Sequence, residues 1–125
     1  MAAIMPRVVH FEIYADNPAR AAKFYSGVFG WKINKWEGPV DYWIVDTGED
    51  GPGINGGVTN RKSPSQSTIN TVNVDNLDAY IKKVESAGGK IVVPKGPVPG
   101  IGWLAYANDS EGNTFGILQP DENAK

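Results

Sequence analysis

The sequence lacks cysteine, contains a single histidine and has no long apolar run. Without cysteine there are no disulfides, thiolate nucleophiles or Cys-ligated zinc and iron–sulfur centres. No apolar run approaches the roughly 18 residues of a membrane helix, and residues 1–6 lack the basic start and apolar stretch of a signal peptide. We therefore expect no membrane partner, and the cytoplasm is the default localisation.

The charge is nearly balanced, which removes another class of partner. Twelve Lys and Arg residues against fourteen Asp and Glu residues give a net charge of −2, and the basic residues are scattered along the chain. Nucleic-acid-binding proteins concentrate basic residues on one face, so we expect no nucleic-acid partner. Outside predicted helices, the one neighbouring basic pair is Arg61-Lys62, which we interpret as part of a solvated loop.

A short pattern occurs twice, 59 residues apart. Each copy contains a β-rich segment, an Asp-Asn pair, a helical stretch with a lysine, and a glycine, at Asp16, Asn17, Lys23 and Gly30 and again at Asp75, Asn76, Lys82 and Gly89. Three short extended runs follow each predicted helix, so the order is β-α-β-β-β twice. We predict an α+β fold in which two βαβββ modules form a curved eight-stranded mixed sheet. The prediction is one domain over residues 1–125, with module one at about 7–60 and module two at about 68–120.

Local patterns predict how these elements pack. In the first strand, Val9, Phe11 and Ile13 alternate with a second face that carries Val8, His10, Glu12 and Tyr14. Asn17-Pro18 predicts a helix start, and an apolar stripe of Ala21, Phe24, Tyr25 and Val28 predicts its buried side. The stripe of the second helix is Leu77, Tyr80, Ile81 and Val84.

The Gly- and Pro-rich segment 95–102 is interpreted either as a semi-rigid lid or as an ordinary turn.

The motifs in this order resemble a known superfamily. They are His10, Asp16, Ala22-Lys-Phe-Tyr25, Val28-Phe-Gly-Trp31, Val74-Asp-Asn-Leu77, Gly88-Gly89, Asp109-Ser-Glu-Gly-Asn113 and Phe115-Gly-Ile-Leu118. The chain resembles the vicinal oxygen chelate superfamily, which includes glyoxalase I, extradiol dioxygenases and bleomycin-resistance proteins. The resemblance covers nearly the whole chain and implies the paired-module fold and a homodimer. It does not by itself imply an activity, because one fold can carry different chemistries.

The resemblance also implies four metal-ligand positions, one on the first and one on the last strand of each module. In this sequence they fall on His10, Gly57, Ile69 and Gly116, of which only His10 can bind a metal. A protein site needs at least three side-chain donors to hold zinc, nickel or iron. We therefore predict no cofactor. The alternative is a divalent metal held by a two-ligand remnant, in which Glu12 joins His10.

Two groups of residues are candidates for the site. His10 and Glu12 are candidate catalytic residues, as base and as orienting partner or acid, and the alternative for His10 is a structural strand histidine hydrogen-bonded across the sheet. The aromatic and polar strand residues are candidate ligand contacts, with core, interface or solvated positions as the alternatives. These predicted ligand-binding residues are Tyr42, Trp43, Thr71, Asn73 and Trp103.

These features predict a metal-independent protein that binds an unidentified small organic molecule. The alternative is an enzyme, either a glyoxalase-like lyase or isomerase or a dioxygenase-type enzyme, that uses His10 and Glu12. A third class, a scaffold or interaction subunit, predicts that the four tryptophans fill the cavity.

Overall fold

The computed structural model describes residues 5–63 and 66–125, and the chain divides into two compact units. Residues 10–69 form the first unit, and residues 70–125 together with residues 5–9 form the second. The described elements are β1 (Arg7–Ala15), α1 (Pro18–Phe29), β2 (Lys32–Lys35), β3 (Tyr42–Asp46), β4 (Asn55–Asn60), β5 (Thr68–Asn73), α2 (Leu77–Ser86), β6 (Lys90–Val98), β7 (Gly102–Asn108) and β8 (Thr114–Pro120).

In the first unit the strands lie in the order β2-β3-β4-β1. β4 pairs parallel with β1 and antiparallel with β3, which in turn pairs antiparallel with β2. The sheet face that packs against α1 carries the core, where Val45 and Val58 are fully buried and Phe11 and Ile13 pack beside them. The alternation predicted for β1 therefore places its apolar residues correctly from Phe11 onward, whereas Val9 remains 38% exposed.

Helix α1 begins and ends where the sequence predicts. The Asn17 side chain accepts a hydrogen bond from the Arg20 backbone N–H, Pro18 occupies the first turn, and Gly30 closes the helix at φ 73°. That positive φ is a conformation that glycine adopts without strain. The predicted buried stripe is wrong in part, because Phe24 and Val28 are both more than half exposed. The helix instead buries Ala22, and Ala21 packs against the core.

In the second unit the strands lie in the order β5-β8-β7-β6. β5 pairs parallel with β8, and the remaining pairs are antiparallel. Asn76 caps α2 through its side chain, and Leu77 is fully buried in a core with Val74, Ala105 and Ile117. Tyr80, Ile81 and Val84 pack against this core, as the sequence predicts.

The segment predicted as a lid or turn is mostly a strand. β6 continues from Lys90 to Val98, and Gly96, Pro97 and Val98 pair with β7. The register of this pairing shifts twice, between Ile91 and Val93 and between Val93 and Gly96. Edge strands tolerate proline and bulges, so a Pro-rich sequence forms a strand here. Residues 95–98 are therefore strand, where the sequence predicted a semi-rigid lid or an ordinary turn, and the turn is confined to residues 99–101.

The predicted α+β class is confirmed, with eight strands of mixed pairing and two helices. Between the two predicted modules, residues 64–65 lie outside the described residues. Within residues 5–63 and 66–125, neither helix is long and apolar enough to cross a membrane.

Candidate functional site

A polar cluster lies on one face of the first unit. Alternation along β1 brings His10, Glu12 and Tyr14 to the same side of the strand, and Tyr42 comes from the start of β3. The Tyr42 hydroxyl lies 2.8 Å from His10 Nε2 and donates to Glu12 Oε2 at 3.1 Å, while the Tyr14 hydroxyl donates to Glu12 Oε1 at 2.9 Å. Each Glu12 carboxylate oxygen therefore accepts a tyrosine hydroxyl.

The tautomer of His10 depends on which partner receives the single hydrogen of the Tyr42 hydroxyl. When that hydrogen goes to Glu12 Oε2, His10 Nε2 donates to the Tyr42 oxygen, and the lone pair of the neutral ring lies on Nδ1. The His10 side chain is 35% exposed and that of Glu12 is 13% exposed, so the cluster is only partly open to solvent.

Burial determines the charge states of the cluster. It lowers the pKa of His10 below its ordinary value of 6.5, and the opposing effect of the Glu12 charge, 3.9 Å from Nε2, is smaller. His10 is therefore neutral at pH 7. Burial raises the pKa of Tyr42 strongly, and the Glu12 charge raises it further, so Tyr42 stays a protonated donor.

Glycine at position 57 makes the cluster possible. β4 lies between β1 and β3, and Gly57 pairs with Glu12 on one side and with Ile44 on the other. Tyr42 crosses β4 over this residue. A Cβ atom at position 57 would lie 2.1 Å from the Tyr42 hydroxyl oxygen and 2.2 Å from its ring carbon Cζ. The tyrosine therefore occupies the space into which a side chain at position 57 would extend.

The second unit contains a related arrangement on its own sheet. Gly116 of β8 pairs with Thr71 of β5 on one side and with Tyr106 of β7 on the other. A Cβ atom at position 116 would lie 2.7 Å from Thr71 Oγ1 and 3.2 Å from Tyr106 Cε1. Thr71 is buried, and Asn73 Oδ1 is a buried acceptor with no partner among the described residues. Both are predicted ligand contacts, and Asn73 retains an acceptor for one.

The two predicted tryptophans lie on the other side of their strands. Trp43 packs against the core beneath α1, on the opposite face of β3 from Tyr42. Trp103 packs against the core beneath α2, and its indole N–H donates to Asp121 Oδ2 at 3.0 Å. Trp43 and Trp103 thus occupy core positions, the alternative to their prediction as ligand contacts, because their side chains pack against the two helix-facing cores.

The four metal-ligand positions do not form a donor set that suits a metal. β1 supplies His10, β4 and β8 supply Gly57 and Gly116, and β5 supplies Ile69, which is buried. Among residues 5–63 and 66–125, no three His, Asp or Glu side chains form a group that could hold a metal ion. Glu12 is beside His10, but the Tyr42 hydroxyl binds both. Two donors are too few for a stable site.

Sequence reasoning missed two tyrosines. It placed Tyr14 on the same face as Glu12 but not in the site, and it did not single out Tyr106. Tyr106 lies between the core residues Ala105 and Ala107, so strand alternation places its side chain on the opposite face of β7. No local sequence pattern predicts that the Tyr42 side chain extends across β4, apart from the glycine at position 57.

Comparison with known proteins supplies the family. The family model described as Glyoxalase/Bleomycin resistance protein/Dioxygenase superfamily matches residues 7–117. A glyoxylase-like domain-containing protein of Didymella fabae is 36% identical over 85% of this chain and 88% of its own length. The putative glyoxylase CFP32 of Mycobacterium bovis is 27% identical over 87% of this chain, and the match spans only 42% of that protein.

Solved structures agree on the fold. A hypothetical protein from Bacillus halodurans superposes with a TM-score of 0.70 at 17% identity, covering 97% of this chain and 99% of that chain. Methylmalonyl-CoA epimerase from Mycobacterium tuberculosis also superposes with a TM-score of 0.70, at 13% identity, covering 97% of this chain and 93% of that chain. At such identities the likeness concerns the fold alone. With the family model matching most of its length, the chain belongs to the glyoxalase/bleomycin resistance protein/dioxygenase superfamily.

Proposed function

We propose that this chain is a metal-independent small-molecule-binding protein of its superfamily, with the ligand on the face that carries His10, Glu12 and Tyr42. The observation that carries the proposal is the position of Tyr42. It fills the space above Gly57, where the superfamily pattern has a metal ligand, and it links the remaining histidine to Glu12. The cluster thus replaces coordination by a metal with a network of hydrogen bonds.

The hydrogen bonds support binding over acid–base catalysis. Glu12 accepts a tyrosine hydroxyl on each carboxylate oxygen, and His10 Nε2 is engaged by Tyr42. A general base needs a lone pair directed at the proton that it removes. Here the Glu12 carboxylate accepts two hydroxyls and His10 Nε2 is held by Tyr42, so the network favours recognition of a hydrogen-bond donor on the ligand over removal of a proton from it.

The experiment follows the ring of His10 by NMR, because the only histidine of the chain gives one unambiguous Cε1–H signal. A library of small organic molecules is screened for compounds that shift this signal in the presence of EDTA. We expect hits whose affinity falls about 10-fold in Tyr42→Phe, which loses a hydrogen bond to charged Glu12 worth about 1.5 kcal/mol. Trp43→Phe, on the core face, is the matched control and should bind normally.

The enzyme alternative makes a different prediction for the same compounds. It requires that a hit be converted to a product, and that both His10→Ala and Glu12→Gln abolish the conversion. The names of the Didymella and mycobacterial relatives are the reason to test it. We expect each hit to be recovered with its mass and stereochemistry unchanged. Turnover that depends on His10 would replace the binding proposal with the catalytic one.

The assembly state and location are further parts of the proposal. We expect a homodimer, which the superfamily resemblance implies, and a cytoplasmic location, which is the default for this composition. Sedimentation velocity of the purified chain distinguishes a dimer from a 13.5 kDa monomer directly.

A further inference from the structure

A cavity of about 280 Å³ lies away from the His10 cluster, at the end of β1 and β4. β1 and β4 are parallel, so Asp16 and Arg61, which follow their last residues, come to the same edge of the sheet. The described lining consists of Asp16, Arg61, Lys62 and Ser63. The carboxyl ends of parallel strands are a common location for ligands, because the chain leaves the sheet there and side chains converge.

Arg61 is held in place, but few of its hydrogen-bond donors are used. Its backbone N–H donates to Ala15 O at 2.8 Å, and its Nη2 donates to Tyr14 O at 3.0 Å. Nη1 lies 3.8 Å from Asp16 Oδ2, an ion pair too long to be a hydrogen bond. Nε is buried and has no acceptor among the described residues. A guanidinium carries five N–H donors, so most of those of Arg61 have no short acceptor among residues 5–63 and 66–125.

The charge of the cavity lining is positive. Arg61 and Lys62 contribute two positive charges against the single negative charge of Asp16, whose side chain is 74% exposed and lies at the rim. The Lys62 backbone N–H donates to Gln66 Oε1 at 2.7 Å, which fixes the backbone of this exposed lining residue. Helix α1 starts just after Asp16, and it has no acidic residue in its first turn to offset its positive end.

We propose that this cavity binds a small oxyanion, that is, a phosphate or carboxylate group. An immobilised guanidinium with unused donors beside a lysine is the arrangement that recognises such groups, because the planar fork matches two oxygens at once. This differs from the interpretation of Arg61-Lys62 as a solvated loop, which rested on the sequence alone. The inference does not rest on the proposed function, because the two sites share no side chain.

The test is a titration of 15N-labelled protein with inorganic phosphate, and separately with acetate, at constant ionic strength maintained with sodium chloride. The signals to follow are the Arg61 side-chain Nε–H and the backbone amides of Lys62 and Ser63. We expect a saturable shift of these signals. Saturation by phosphate alone assigns a phosphate group, and saturation by both anions assigns a site that also accepts carboxylates.

Variants show whether the lining charges are responsible. Lys62→Gln should weaken binding about threefold, as expected for one partly exposed charge, and Asp16→Asn should strengthen it by a similar factor. Lys82→Gln, an exposed lysine of the second unit, is the matched control and should leave the affinity unchanged. The proposal is overturned if neither anion gives a saturable shift, or if Lys82→Gln weakens binding as much as Lys62→Gln does. Unchanged affinity in both Lys62→Gln and Asp16→Asn would overturn it too.

Discussion

At the scale of single residues, the site depends on the absence of a side chain at Gly57. Two strand spacings, each of about 4.8 Å, separate β1 from β3. Tyr42 spans them because Gly57, in the strand between, offers no obstacle. Without Tyr42, the neighbouring His10 and Glu12 side chains of β1 would lack the hydroxyl that contacts both.

Gly57→Ala tests this dependence. The added methyl group would overlap the Tyr42 ring, and moving the ring breaks its hydrogen bonds to His10 and Glu12. We expect the free energy of unfolding in urea to fall by about 1–3 kcal/mol, the usual cost of overpacking. The matched control is Gly27→Ala in α1, where a Cβ atom meets nothing within 4 Å. It should instead stabilise the protein by up to about 1 kcal/mol. Equal effects of the two substitutions would contradict the account.

The titration of His10 provides a second residue-scale prediction. Burial lowers its pKa in the folded protein, and the Glu12 charge partly offsets this. We expect NMR titration of the Cε1–H signal to give a pKa below 6.5, lower still in Glu12→Gln, and unchanged in the exposed control Glu111→Gln. A pKa that rises in Glu12→Gln would show that the charge of Glu12 does not act on His10.

The same shift has a consequence for stability. Because the folded pKa lies below the unfolded value, the unfolded chain binds more protons as the pH falls. The contribution of His10 to the free energy of unfolding is therefore complete above pH 6.5 and is lost as the pH falls through the folded pKa. Urea unfolding of wild-type protein and His10→Gln between pH 7.5 and about 5 should show this loss only in the wild type.

Much of the site's residue pattern could be predicted from the sequence. Strand alternation placed His10, Glu12 and Tyr14 on one face, because β1 is regular. The tryptophans were harder to place, since their aromatic character suits a ligand wall and a core equally well. The hydrogen bonds of Tyr42 join residues 30 and 32 positions apart through a strand between them, so no local pattern contains them.

At the scale of elements, the internal repeat predicts local geometry well. Asn17 and Asn76 both cap their helices, each accepting the backbone N–H three residues later at 3.0 Å. The repeat fails where tertiary packing decides the outcome. Phe24 and Val28 fit the apolar period of α1 but are exposed, and segment 95–98 forms part of an edge strand despite its proline.

The paired caps predict paired effects. Asn17→Ala and Asn76→Ala should each reduce the free energy of unfolding by about 1 kcal/mol, because each leaves a helix N–H without its acceptor. Replacement by Asp at the same positions preserves the acceptor and should cost much less. Chemical denaturation followed by circular dichroism measures all four variants. A loss for Asp as large as that for Ala would show that the caps do not stabilise the helices.

At the scale of the whole molecule, the two modules share a design and differ in what remains of the site. The first keeps His10, with Glu12 and two tyrosines around it, and the second presents Thr71 and Asn73 beside Gly116. Fold class was predictable because the repeat and the family motifs extend over nearly the whole chain. The ligand was not, since a superfamily fold carries many chemistries and the surviving polar groups are few.

The central claim is that the protein works without a metal, and equilibrium dialysis tests it most directly. Wild-type protein and His10→Ala are dialysed against Ni²⁺, Zn²⁺, Fe²⁺ and Mn²⁺, and the metal bound to each chain is measured by elemental analysis. The account predicts metal far below one equivalent, with no difference between the two proteins. Near-stoichiometric metal in the wild type that His10→Ala abolishes would contradict it.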